Sequence, residues 1–302
     1  MSKSFTELIK EKRKEEFPQT FVIVHDTFLE LGLDKKDSEY FINNASDIVE
    51  KLREKNWETF LKYERKFSEN IYKSLIREDV DNFEARDGVE DYISKNVDKF
   101  YTLSLSNTQS RRSRAGSEFE AIISHLFMGA NIPFDEQGLI GIGFFENNNL
   151  AKLVDHVIPG AIEYHINKRN IVALSAKTTL RERWQQIGDE MQRTRMPEMY
   201  LATLDEKIGS NTLSQLSANN IYPITTVSIK NKFYKDDNIV LTFEDLLLLS
   251  KQISEKWTIK DYSQEQIEEK KTIIENLIEQ HEERPYVVNY FKRQLDRIKE
   301  KK

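Results

Sequence analysis

The sequence predicts an α/β fold, a mixed central sheet flanked by helices, with an N-terminal helical subdomain. Three observations predict it. The first hundred residues repeat apolar side chains at helical spacing, and no Gly or Pro occurs between Gly32 and Gly88 to interrupt a helix. Short runs rich in β-branched residues then appear at 151–158, 171–177, 199–204 and 221–227. Helical segments lie between and after those runs, the pattern of a sheet covered by helices.

Taken in order, Ser38 to Glu69 carries Phe41, Ile48, Leu52, Trp57, Phe60, Leu61 and Phe67 close to helical spacing, with charged faces between them. Glu118 to Met128 reads as a helix ending near Gly129. The runs 151–158 and 171–177 are bounded by Pro159-Gly160 and by Asn167-Lys-Arg-Asn170, which are turn signals. Trp184 to Met196 is helix-like and closes at Pro197. Met199 to Leu204 and Ile221 to Val227 supply further strands, and Ile239 to Thr242 leads into a helix from Phe243 to Ser250. At the C-terminus Ser263-Gln-Glu-Gln266 fits a capping box, and Pro285 divides two helices of a hairpin. That hairpin either packs on the core or mediates dimerisation. Three parts are expected: a helical subdomain over 1–100, a core over 101–262 and the hairpin over 263–302.

Composition excludes several classes of chemistry. The chain has 302 residues and no cysteine, so disulfides, thiolate zinc sites and cysteine nucleophiles are absent. No apolar run is long enough to span a bilayer, and Met1-Ser-Lys-Ser-Phe lacks the apolar stretch of a signal peptide; the expected compartment is the cytoplasm. Net charge is −6, but a polyanion is met by local charge rather than by the sum. Asn107 to Gly116 holds Arg111, Arg112 and Arg114 among hydroxyl and amide side chains, with no acid. It suits either a solvated polar loop or contacts to phosphate. A phosphate-binding glycine loop is missing; Gly141-Ile-Gly143 is too short a signal.

The segment that carries most chemistry is Lys177-Thr-Thr-Leu-Arg181-Glu182-Arg183, followed by Glu190 and preceded by Asp155. Asp155 is the one acid between Glu146 and Glu163, set in Leu-Val-Asp-His-Val-Ile. Burying such a carboxylate is costly unless it is paired or bound to metal. Alternation puts Ile171, Ala173, Ser175 and Lys177 on one strand face. A lysine at a strand end is either solvated or placed to orient a water. Two acids and a lysine near such an end suit Mg²⁺, which favours a few carboxylates and keeps several waters. Arg181 and Arg183 match guanine O6 and N7, and Glu182 matches cytosine N4. Glu120, one turn beyond Gly116, is either a surface acid or a further acid at the metal. From spacing alone Trp57 reads as a core aromatic.

The block Arg112-Ser-Arg-Ala-Gly-Ser-Glu-Phe-Glu120, with Val154-Asp155, Ser175-Ala-Lys177, Arg181-Glu182-Arg183-Trp184 and Glu190, resembles the type II restriction endonucleases of the SsoII, PspGI and EcoRII group, which have the PD-(D/E)xK nuclease fold. The likeness runs from about residue 104 to 226. The Arg-Glu-Arg triplet and Arg53-Glu-Lys-Asn-Trp57 point within that group to the SsoII-type enzymes, which cut CCNGG. The resemblance implies that Asp155, Lys177, Glu190 and Glu120 are catalytic, with Asp155 and Glu190 holding Mg²⁺. It implies base reading by Arg181, Glu182, Arg183 and Gln109, and a pocket made by Arg53 and Trp57 for flipped central bases. It further implies 5′-phosphate ends with a five-base overhang, a homodimer on double-stranded DNA and a cognate methyltransferase. Val154 stands where the general motif has Pro, and Ser175 where it has an acid; in this group the helix acid, here Glu190, supplies the missing carboxylate.

Overall fold

The computed structural model describes residues 4–79, 85–136, 154–180, 191 and 195–300. The chain forms two compact units, one of Met1–Thr27 with Leu52–Ala121, the other of Phe28–Lys51 with Ile122–Lys302. Among the described residues no helix is long and apolar enough to cross a membrane.

The first half is helical: α1 (Phe5–Glu16), α2 (Thr20–Glu30), α3 (Ser38–Asn43), α4 (Ala45–Asp79) and α5 (Ala85–Gly129). Ser4 opens α1 with a reciprocal cap, its hydroxyl accepting from the Glu7 amide while Glu7 reaches back to the Ser4 backbone. In the first unit Ile9, Phe67, Ile71 and Leu103 form a buried cluster against Phe5 and Phe17. The Arg13 guanidinium lies over the rings of Phe17 and Phe67, 5.1 and 4.2 Å from their centroids, and reaches Asn107 Oδ1 at 2.6 Å.

The second unit is built on a six-stranded sheet in the order β1 (Asp135–Glu136), β2 (His156–Ile158), β3 (Val172–Ala176), β4 (Met199–Ala202), β5 (Ile221–Thr225), β6 (Leu241–Thr242). β1 with β2 and β2 with β3 are antiparallel, and every later pair is parallel. Parallel neighbours need crossovers. After the short helix α6 (Ala161–Ile166), α7 (Ser210–Ala218) joins β4 to β5, and α8 (Val227–Phe233) joins β5 to β6. α9 (Phe243–Glu255) begins at a Thr242–Asp245 capping box. The hairpin is α10 (Gln264–Gln280) and α11 (Pro285–Glu300), with Ser263 capping α10. It packs on the core: Tyr290 is fully buried and donates its hydroxyl to the Ile132 carbonyl at 2.8 Å.

β3 is buried at all five positions, as expected of a central strand that is apolar at every position but Ser175. Two features differ from the sequence reading. The two-residue β1 was not expected. The polar stretch 107–116 is not a loop but part of α5, and two of its arginines are held within the protein: Arg111 is ion-paired with Glu64, and Arg114 donates to the Pro18 carbonyl. The helix expected over 184–196 lies outside the described residues, apart from Met191, Arg195 and Met196.

Candidate active site

The register of β2 against β3 builds the centre of the second unit. His156 lies opposite Leu174, and the Asp155 amide donates to the Leu174 carbonyl at 2.9 Å. Asp155 therefore emerges beside the carboxyl end of β3, at the point where the sheet changes from antiparallel to parallel. Its Oδ2 accepts from the Ala176 amide at 2.6 Å, from Lys177 Nζ at 3.0 Å and from Ser175 Oγ at 3.3 Å. Asp155 and Lys177 side chains each keep 20% of their surface exposed. A carboxylate with an ammonium and an amide as donors is stabilised by charge-assisted hydrogen bonds. All three land on Oδ2, and among the described residues no donor meets Oδ1, the oxygen that could face a cation. The donor set thus fits a hard divalent ion on one side. Among the described residues no group of three His, Asp or Glu side chains stands ready to hold a metal.

The chain leaving this centre is pinned. The Lys177 amide donates to the Ala202 carbonyl at 2.9 Å, and Leu204 donates to the Thr178 carbonyl at 3.3 Å. The Leu180 amide donates to Asp205 Oδ2 at 3.0 Å while its side chain is buried in the main core. Sequence reasoning missed Asp205, because a polar residue in a turn gives no signal until the turn's amides are placed. The next residues, Arg181, Glu182 and Arg183, and also Glu190, lie outside the described residues.

Beside Asp155, His156 is wholly buried. Its Nε2 meets Ser124 Oγ at 2.9 Å and Glu136 Oε2 at 3.2 Å, and Ser124 donates to Glu136 at 2.6 Å. A hydrolytic triad needs the acid on the imidazole nitrogen away from the serine. Here both partners meet the same nitrogen, out of reach of solvent, so the group ties α5 to the sheet.

The first unit holds the remaining expected residues. Gln109 is exposed on α5 and Glu120 half-buried on the same helix. Arg53 and Trp57 stand one turn apart on α4. Trp57 is not a core residue: 43% of its surface is exposed, with its ring stacked on Phe60 at 5.5 Å. Arg53 Nη1 lies 3.8 Å from Glu118 Oε1. Burial pushes the Glu118 carboxyl up to about 7, against the opposing pull of Arg53 and Arg114.

A mixed sheet flanked by helices, with an acid and a lysine joined at a strand end, is the frame of the PD-(D/E)xK nucleases. The family model described as EcoRII C terminal matches residues 60–247. Type II restriction enzyme SsoII of Shigella sonnei is 44% identical over 295 residues, 97% of each chain. The solved structure of metal-depleted Ecl18kI with uncleaved, modified DNA superposes with a TM-score of 0.89 at 43% identity, covering 97% of this chain and 98% of that one. A complex of restriction endonuclease PspGI with substrate DNA shares the fold, with a TM-score of 0.60 at 19% identity over 82% of this chain and 96% of that one. The chain belongs to the EcoRII C-terminal family and is a type II restriction endonuclease of the SsoII type. It binds DNA and cleaves it at specific sites.

Proposed function

We propose that the protein cuts double-stranded DNA at CCNGG in a Mg²⁺-dependent hydrolysis, as a homodimer that extrudes the central bases. The observation that carries the catalytic part is the contact between Asp155 and Lys177 at the carboxyl end of β3. Asp155 and Glu190 would hold the metal, which when bound would polarise the scissile phosphate and lower the pKa of a water. The Lys177 ammonium orients that water and offsets the charge that builds on the phosphate as the water oxygen bonds to phosphorus and the bond to the 3′ oxygen breaks; the water's proton passes to solvent, the 3′ oxygen takes one from solvent, and the phosphate stays on the 5′ end. Glu120 is the further acid that the resemblance assigns to catalysis.

Recognition follows from the donors each side chain offers. Arg181 and Arg183 read guanines and Glu182 a cytosine, while Gln109 meets the same pairs from the minor groove. Arg53 and Trp57 receive the extruded base, the indole through its face. One set of readers per half-site makes a two-fold dimer the fitting assembly for a palindrome. A cognate methyltransferase protects the same sites in the cytoplasm of the host.

A plasmid digest with Mg²⁺ and run-off sequencing of the ends tests this reading. Discrete fragments with five-base 5′ overhangs at CCNGG are expected. Discrete ends at another sequence would overturn the specificity, and cutting without sequence preference would overturn recognition by the triplet.

A further inference from the structure

The surroundings of Arg53 and Trp57 on α4 differ from those of a surface pair. The role they suggest for Glu118 rests on the proposed pocket for an extruded base. Both pocket residues are part-exposed, yet each is held from behind. The Trp57 ring stacks on Phe60 at an interplanar angle of 24°. Phe60 is buried and carries the Arg114 guanidinium 5.3 Å from its centroid. Arg114 is fixed in turn by two hydrogen bonds of 3.2 Å to the Pro18 carbonyl and lies 5.5 Å from the Phe17 ring. Glu118, one turn further along α5, stands between Arg114 and Arg53 and is 9% exposed.

Two arginines lie near this pocket, and their acids treat them differently. Arg111, 5.8 Å from the Trp57 ring, is tied to Glu64, which takes Nε through both oxygens at 3.0 Å and also accepts from Nη2. Arg53 has only the 3.8 Å approach of Glu118, too long for a hydrogen bond. Its Nη1 is shut from solvent and donates to nothing among the described residues. A buried guanidinium nitrogen without an acceptor is costly, and the Glu118 carboxyl that faces it offsets that cost by charge. A carboxylate at that distance orients the guanidinium by charge without taking a hydrogen bond from Nη1.

We propose that Glu118 is a positioning residue for base extrusion: it aims the Arg53 guanidinium at the extruded base and, through Arg114 and Phe60, holds the aromatic floor under Trp57. Glu118 touches neither the base nor the scissile phosphate.

The test uses the full-length enzyme and a CCNGG duplex carrying 2-aminopurine at the central position, bound in Ca²⁺. Arg53→Ala and Trp57→Ala move the fluorescence toward that of free duplex. Glu118→Gln is expected to move it the same way by at least threefold, and Glu118→Asp, which keeps the charge, to recover part of the change. On a duplex with abasic central positions in Mg²⁺, where no base needs a pocket, Glu118→Gln is expected to cut within twofold of wild type. A wild-type signal in Glu118→Gln while the two pocket variants change would overturn the proposal and leave the pocket standing. A wild-type signal in all three would overturn the pocket and the proposal together. Slowing of Glu118→Gln on abasic and intact duplexes alike would mark a general structural role and also overturn it. Should the Gln variant melt early, the Asp variant carries the same comparison: a smaller change of the same sign supports the proposal and none overturns it.

Discussion

Two carboxylates of the sheet-containing unit sit in opposite surroundings. Asp155 has three donors on one oxygen, one of them an ammonium. Asp135 is part-buried, accepts the Ala161 amide at 2.7 Å and shares its site with Glu163. Both acids crowd Gly160, where a Cβ would lie 2.5 Å from Asp135 Oδ2 and 2.8 Å from Glu163 Oε2. Burial, with Glu163 adding to it and Lys270 opposing, pushes Asp135 up to about 7. An unfolded aspartate releases its proton near 4, so between there and about 7 the folded chain holds an extra proton and loses stability as pH rises, by up to about 1.4 kcal/mol per pH unit. Urea unfolding at pH 5 and pH 7.5 is expected to show Asp135→Asn with a shallower pH dependence than wild type; equal slopes would contradict this. Such an acid is invisible in sequence, because Asp135 and Glu163 are brought together only by β1 pairing with β2. Asp155 was legible, since an acid inside an apolar run has few structural excuses. The partners of Arg53 and Arg111 were not, for each comes from elsewhere in the chain.

At the scale of elements, the legible ones are those whose pattern burial enforces. β3 is buried throughout and apolar but for Ser175 because both its faces are covered, and Ser263 and Gln266 show the start of α10 through their cap. The segment 107–116 misled because its residues favour turns over helices, yet α5 runs on through it, with Arg111 and Arg114 held by Glu64 and the Pro18 carbonyl. β1 has only two residues, fewer than any periodicity can mark. The end of α5 carries a testable constraint. Gly129 packs against Phe41 so closely that an added Cβ would sit 2.3–2.4 Å from three of its ring atoms. Gly129→Ala is expected to destabilise by about 1–3 kcal/mol through overpacking, and Phe41→Leu in the same chain to relieve much of that. Chemical denaturation of the two variants checks it; an unchanged midpoint for Gly129→Ala would show that the ring moves freely.

For the whole molecule, net charge and composition told least, since a net charge of −6 says nothing about where positive charge is concentrated for a polyanion. The order of motifs told most. Asp155 and Lys177, 22 residues apart, meet because β2 turns back on β3, and the Lys177-to-Leu180 turn is anchored by Ala202 and Asp205 before the chain enters the Arg-Glu-Arg triplet. On the proposed reading, cutting and reading fall within one short stretch of sequence, with catalysis at Lys177 and specificity a few residues on. The most direct measurement is single-turnover cleavage of a CCNGG duplex in Mg²⁺ by wild type and Lys177→Ala, beside their binding to the same duplex in Ca²⁺. Lys177→Ala is expected to bind within a few-fold of wild type and to cut at least ~10²-fold more slowly, the loss expected of a group that moves or orients a proton at the reacting centre. Wild-type cutting by Lys177→Ala would contradict this and remove the Asp155–Lys177 pair from the catalytic centre.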